Sequence, residues 1–175
     1  MTPEEVRIRS LYLFLACSQA VEQLKERLAS TFSSPPLSSK LLLDVQLRRE
    51  LGLLFRYWAT RKIWERLEHH ESDAKALNLA LLRLCTDGFK LFKDGSGLRY
   101  AELSTPSEEA HELSHRLTHA VGVEHQPMLA MVHSDFLGWR ETVLAYTVDA
   151  LERPLEALTA SVTQWAQQTT ESKPA

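Results

Sequence analysis

The chain has 175 residues, 44% of them hydrophobic, with 23 acidic against 20 basic side chains and a formal net charge of −3. That length and apolar content suit one domain with a sizeable core, and the charge excludes bulk attraction to nucleic acid or an anionic membrane. Only six glycines and seven prolines, mostly grouped between periodic segments, argue against disorder and against a sheet-rich fold.

Thr2-Pro3-Glu4-Glu5 reads as a capping box, with Thr2 accepting from the Glu5 N–H and Glu5 reaching back. Behind it Leu11, Phe14, Cys17, Val21, Leu24, Leu28 and Phe32 recur at steps of three and four, a first helix whose front half is apolar nearly all round. Leu11 to Cys17 has the look of a lipoprotein leader. Its apolar run is too short, however, and Glu4 and Glu5 stand where positive charge belongs, so a buried helix is expected. Ser33-Ser34-Pro35-Pro36 stops it.

A second helix is expected from Ser38 or Ser39 to about His70, with Leu43, Leu47, Leu51, Leu54 and Trp58 inward and Leu53, Tyr57 and Trp64 on an adjoining face. Arg48, Arg49, Arg56, Lys62 and Arg66 gather on a face roughly 140° wide at 100° per residue. With Arg61 they form the basic segment of an acidic chain. Such a face with aromatic neighbours suits a phosphate backbone or an acidic protein; it is equally what any solvated helix presents.

Ser72 or Asp73 is expected to cap a third helix, with Leu77, Leu81, Leu84 and Leu91 inward and Gly88 continuing that stripe to let a neighbour approach. Lys93 to Gly97 signals a turn, and 98–103 is expected to be extended, the one non-helical element. Thr105-Pro106-Ser107-Glu108 is a second capping box. The helix behind it, with Ala110, Leu113, Leu117 and Val121 as its apolar stripe, runs to Gly122. A last long segment starts near Pro127, with a fresh cap at Ser134 or Asp135 after a break. From Leu144 it carries Leu144, Val148, Leu151, Leu155, Leu158, Val162 and Trp165 as a heptad seam, with Pro154 off the seam as a kink. The seam is expected to pack internally, with a homodimer through 144–165 as the other use. Cys17 and Cys85 fall in apolar helical stretches and are expected as buried free thiols, as in a reducing cytoplasm.

The run with chemistry of its own is Glu108 to His119. His111-Glu112-Leu113-Ser114-His115 is a literal His-Glu-x-x-His, which on a helix sets two imidazoles one turn apart for one Zn²⁺ or another divalent metal. Over those five residues it resembles the zincin metallopeptidases. The resemblance implies His111 and His115 as metal ligands and Glu112 as the base that deprotonates a bound water. Against it, His119 lies about 12 Å along the axis from His111, so a third ligand must come from elsewhere, and no substrate-holding edge strand is evident. Glu108 to His111 and Glu112 to His115 also fit Glu-x-x-His, but a di-iron site needs that motif on two helices.

The expectation is therefore an all-α, single-domain antiparallel bundle of five or six helices over 1–168 with a frayed tail at 169–175, cytoplasmic and not membrane-bound. Its expected function is a non-enzymatic interaction or assembly module, a subunit or accessory factor of a larger complex. It takes a protein partner, or nucleic acid, through Arg48, Arg49, Arg56, Lys62 and Arg66, and needs no cofactor. The alternative is a metal-dependent hydrolase on His111, Glu112 and His115.

Overall fold

A computed structural model describes residues 1–31, 37–91, 98–103, 105–121 and 125–171, and within them the side chains of 1–27, 45–91, 100–103, 105–116, 119 and 135–170. The elements are α1 (Pro3–Thr31), α2 (Leu37–Arg66), α3 (Glu71–Gly88), α4 (Leu98–Ala101), α5 (Pro106–Val121), α6 (His125–Glu152) and α7 (Leu155–Glu171). Six are long helices, α4 is a single turn, and no strand occurs among the described residues. The Ser33–Pro36 stop, the turn at 93–97 and Gly122 lie outside the described residues.

The two capping boxes form, one of them only in part, and the cap expected at α3 does not. At α5 the box closes both ways: Glu108 N–H donates to Thr105 Oγ1 at 3.3 Å and Thr105 N–H to Glu108 Oε2 at 2.9 Å. At α1 the Glu5 N–H donates to Thr2 Oγ1 at 3.1 Å, but the Glu5 carboxylate accepts from Arg9 Nε at 3.0 Å instead of reaching back. A charged donor on the next turn outcompetes a backbone amide. The cap expected at Ser72 or Asp73 is not used for α3, which starts at Glu71 behind His70 without a side-chain cap, while Asp73 Oδ1 accepts from the Met1 ammonium at 2.8 Å.

Three further expectations are corrected. The stretch 98–103 opens with a helical turn, not an extended strand, because Tyr100 is fully buried and its phenol donates to Glu50 Oε2 at 2.7 Å. α6 runs unbroken through Ser134 and Asp135. Pro154 marks an end, not a kink: α6 stops at Glu152 and α7 begins at Leu155.

Contacts fix the directions. Trp58 meets Glu109 while Glu50 meets Arg116, so α2 and α5 are antiparallel. Arg9 meets Ala150 while Leu24 and Arg27 face Asp135 and Trp139, so α1 and α6 are antiparallel too. Short links account for this up-and-down layout. α2 packs against α1, α3, α5 and α6, and Leu51 to Phe55 are all buried in succession. α1, whose front half is apolar nearly all round, packs against four helices, α2, α3, α6 and α7.

Close packing of α3 depends on small residues. A Cβ on Gly52 would lie 2.5 Å from Phe89 Cγ and 2.8 Å from Phe89 Cβ, next to backbone that cannot swing away. Gly88 is itself exposed, and the tip of the Phe14 ring occupies the place of its Cβ. Gly52→Ala is therefore expected to cost about 1–3 kcal/mol by overpacking, and Gly88→Ala less because a ring tip can tilt; urea midpoints of the two variants check the order. Just beyond, Lys90 has a φ of 54° and the Leu91 N–H returns to Thr86 O at 3.2 Å, a left-handed helix terminus that suits glycine. Lys90→Gly should raise stability by about 0.5–1 kcal/mol in the same measurement.

Cys17 and Cys85 are buried free thiols. Burial pushes Cys17 well above its ordinary value and Cys85 up to about 12, the nearby Arg56 opposing the latter in part. Tyr12 is buried against α6 and α7, its phenol bonded to Asp149 and its ring stacked on Trp165 at 5.5 Å. Burial first, and the Asp149 carboxylate second, raise its pKa to about 12 from 10.0. Because the folded value lies above the unfolded one, its contribution is complete below pH 10 and disappears as pH rises towards 12. Denaturant midpoints across that range should fall less in Tyr12→Phe than in the parent.

No helix among the described residues is long and apolar enough to cross a membrane.

Candidate functional site

α5 carries two unlike faces. Its inner face buries Glu109, Ala110, Leu113 and Ser114, as the apolar stripe required, and its outer face leaves His111, His115 and His119 exposed. The His115 and His119 rings lie 6.4 Å apart, one turn of helix, as their spacing dictates. Glu112 is half-buried and its Oε1 accepts from Arg116 Nε at 2.7 Å. Among the described residues no group of three His, Cys, Asp or Glu side chains could hold a metal ion, and the side chains of His125 and His133 lie outside them.

The concentrated polar chemistry of the molecule lies on the other side of this helix. Glu109, 3% exposed, accepts from the Trp58 indole N–H at 3.1 Å and from Arg140 Nε at 3.2 Å, so one carboxylate joins α2, α5 and α6. Arg140 also stands 5.5 Å over the Trp58 ring, which packs against Phe136 and Trp139. About two turns away along α2, Glu50, 2% exposed, accepts from Tyr100 and from Gln46 at 3.1 Å, with Arg116 Nη1 at 3.9 Å. Arg116 thus stands between Glu112 on its own helix and Glu50 on α2. Sequence reading passed over both buried carboxylates. The signal was there: Glu50 shares the stripe of Leu47, Leu54 and Trp58, and Glu109 that of Leu113, at helical spacing.

The cations of α2 divide. Arg48 pairs with Glu22 of α1 at 2.8 Å, Arg66 with Glu152 of α6 at 2.8 Å, and Lys62 with Glu65 at 3.0 Å. These three have carboxylate partners within the fold. Arg49 and Arg56 are half-buried on the opposite edge of the face, where the helix also places Thr60 and then Trp64, 37% exposed. Arg56 and Arg61 have no carboxylate partner among the described residues.

The described residues form a surface hollow of about 310 Å³ between α1 and α6, lined by Gln23, Arg27, Asp135, Trp139 and Thr142, and another of about 610 Å³ along α7. Neither is lined by a histidine or by Glu112. The seam residues Leu144, Leu151, Leu155, Val162 and Trp165 pack half-buried on the core, with Leu158 fully buried. No protein-family model, no curated protein and no solved structure matches the chain.

Proposed function

We propose that the chain is a non-enzymatic helical interaction module, a small subunit or accessory factor of a larger complex, which takes an acidic protein segment along the outer edge of α2. The observation that carries this reading is the stripe of Arg49, Arg56 and Trp64, where two guanidiniums and a partly exposed indole follow one another at helical spacing. Arginine and tryptophan are the side chains that most often anchor protein interfaces, since each combines apolar area with directed hydrogen bonds. A net charge of −3 opposes a long polyanion more than it opposes a few carboxylates of a protein partner, which ranks nucleic acid second. Arg48, Lys62 and Arg66 lie on the other edge of the same face, beside the carboxylates of Glu22, Glu65 and Glu152.

Co-purification from extracts of the source cells tests this. Arg49→Glu with Arg56→Glu should lose the retained partner, while Arg61→Glu keeps it. Equal retention by all three proteins sinks the reading. Fluorescence anisotropy with a single-stranded oligonucleotide separates the nucleic-acid version, which should weaken steeply with salt. The rival hydrolase reading rests on His111 and His115 and demands one tightly bound Zn²⁺ per chain, lost in His115→Ala; metal analysis of the purified protein decides it.

A further inference from the structure

α6 and α7 are phased as one helix and built as two. The seam from Leu144 to Trp165 keeps its steps of four and three straight across Pro154, although α6 ends at Glu152 and α7 starts at Leu155. The break has a chemical cause. In a continuous helix the Ala150 carbonyl would wait for the N–H of residue 154, which proline lacks, and the Leu151 carbonyl would take the N–H of Leu155. In the bent form Arg9 of α1 serves both: its Nη1 donates to Ala150 O at 2.8 Å, to Leu151 O at 3.1 Å and to Arg153 O at 3.1 Å. This guanidinium is buried at 9% exposure and steadied by Glu5, and a cation at a helix C-terminus is favoured by the dipole.

α7 itself lies chiefly against α1, with Leu158 buried and the Trp165 ring on Tyr12, and Arg153 of the joint stands 5.6 Å over the same Tyr12 ring. Among the described residues, its main anchorage is thus α1, reached across a two-residue joint.

We propose that Arg9 and Pro154 form a latch on this joint, and that with the latch open α6 and α7 straighten into one helix that lays α7 on the α1 of a second copy. The partner is a second copy because the exchanged α7 meets the same residues of α1 that it meets within one chain, so no new surface is required. The straight form recovers the Leu155-to-Leu151 backbone bond and the closed form keeps the bonds from Arg9. At low concentration the closed form wins, since its own α7 is present at an effective concentration on the order of millimolar. The inference is independent of the docking stripe on α2.

Pro154→Ala supplies the missing N–H to Ala150, and Arg9→Met removes the guanidinium while keeping an apolar stem. After refolding at about 0.5 mM, in the range where exchange competes, light scattering on a sizing column should show each variant with at least fivefold more dimer than the parent. Spin labels at Glu4→Cys and Gln164→Cys, in Pro154→Ala chains diluted with unlabelled Pro154→Ala, then report the dimer's construction. Exchange lengthens the intrachain distance by on the order of 10 Å, because a straight helix carries residue 164 away from its own α1. A dimer with the distance unchanged is assembled through another face and overturns the proposal. So does a Pro154→Ala protein that stays as monomeric as the parent; this holds even if Arg9→Met fails to fold.

Discussion

Glu109→Ala should destabilise the protein by about 3–5 kcal/mol, read as a shift of the urea midpoint with an unchanged slope. The carboxylate is 3% exposed and holds two donors from two other helices, the Trp58 indole and the Arg140 guanidinium. Removing it leaves the partly buried Arg140 with only the exposed Glu141 at 3.5 Å as counter-charge and a buried N–H without an acceptor, and the second alone costs about 1–3 kcal/mol. Glu109→Gln keeps an acceptor for both donors and should recover part of the loss. The neighbouring acids set the scale. Glu108→Ala removes half of a capping box and should cost about 1 kcal/mol, and Glu112→Ala, whose pair with Arg116 is partly solvated, about 1 kcal/mol or less. If all three cost the same, Glu109 does not join the helices as its geometry implies.

Leu54→Ala is expected to cost about 3–5 kcal/mol, a large fraction of the 5–15 kcal/mol typical of a domain. Leu54 has no exposed surface and sits midway along the helix that packs against four of the other long helices, so the cavity left behind cannot collapse from one side. Leu79→Ala, at a position 51% exposed on α3, should stay within about 0.5 kcal/mol. Thermal or urea unfolding of the pair tests whether the middle of α2 lies in the core. Comparable losses would place the core elsewhere.

Much of the framework was legible because helix formation depends on near neighbours in sequence. The stripes Leu47–Leu51–Leu54–Trp58 and Leu77–Leu81, the box at Thr105–Glu108 and the burial of Cys17 and Cys85 all came from spacing and side-chain type. The helix at 98–101 was not, because a single turn has too few residues to show a period, and what bends it is Tyr100 reaching Glu50 fifty residues away. The break at Pro154 was missed for a like reason. A proline off an apolar seam is compatible with either a kink or an end, and the choice is made by Arg9, 141 residues distant in sequence from Ala150.

Periodicity alone, then, determined an all-helical chain, most of its inward stripes and the existence of a histidine face on α5. Only the tertiary structure decided which polar residues of those helices matter to the fold. Glu108, Glu109 and Glu112 are the same residue type within five positions, yet one caps, one joins three helices and one pairs on the flank of α5. Local sequence sets the direction in which each side chain points. The value of that direction depends on whether a donor, a ring or water is waiting there, and those come from helices far along the chain.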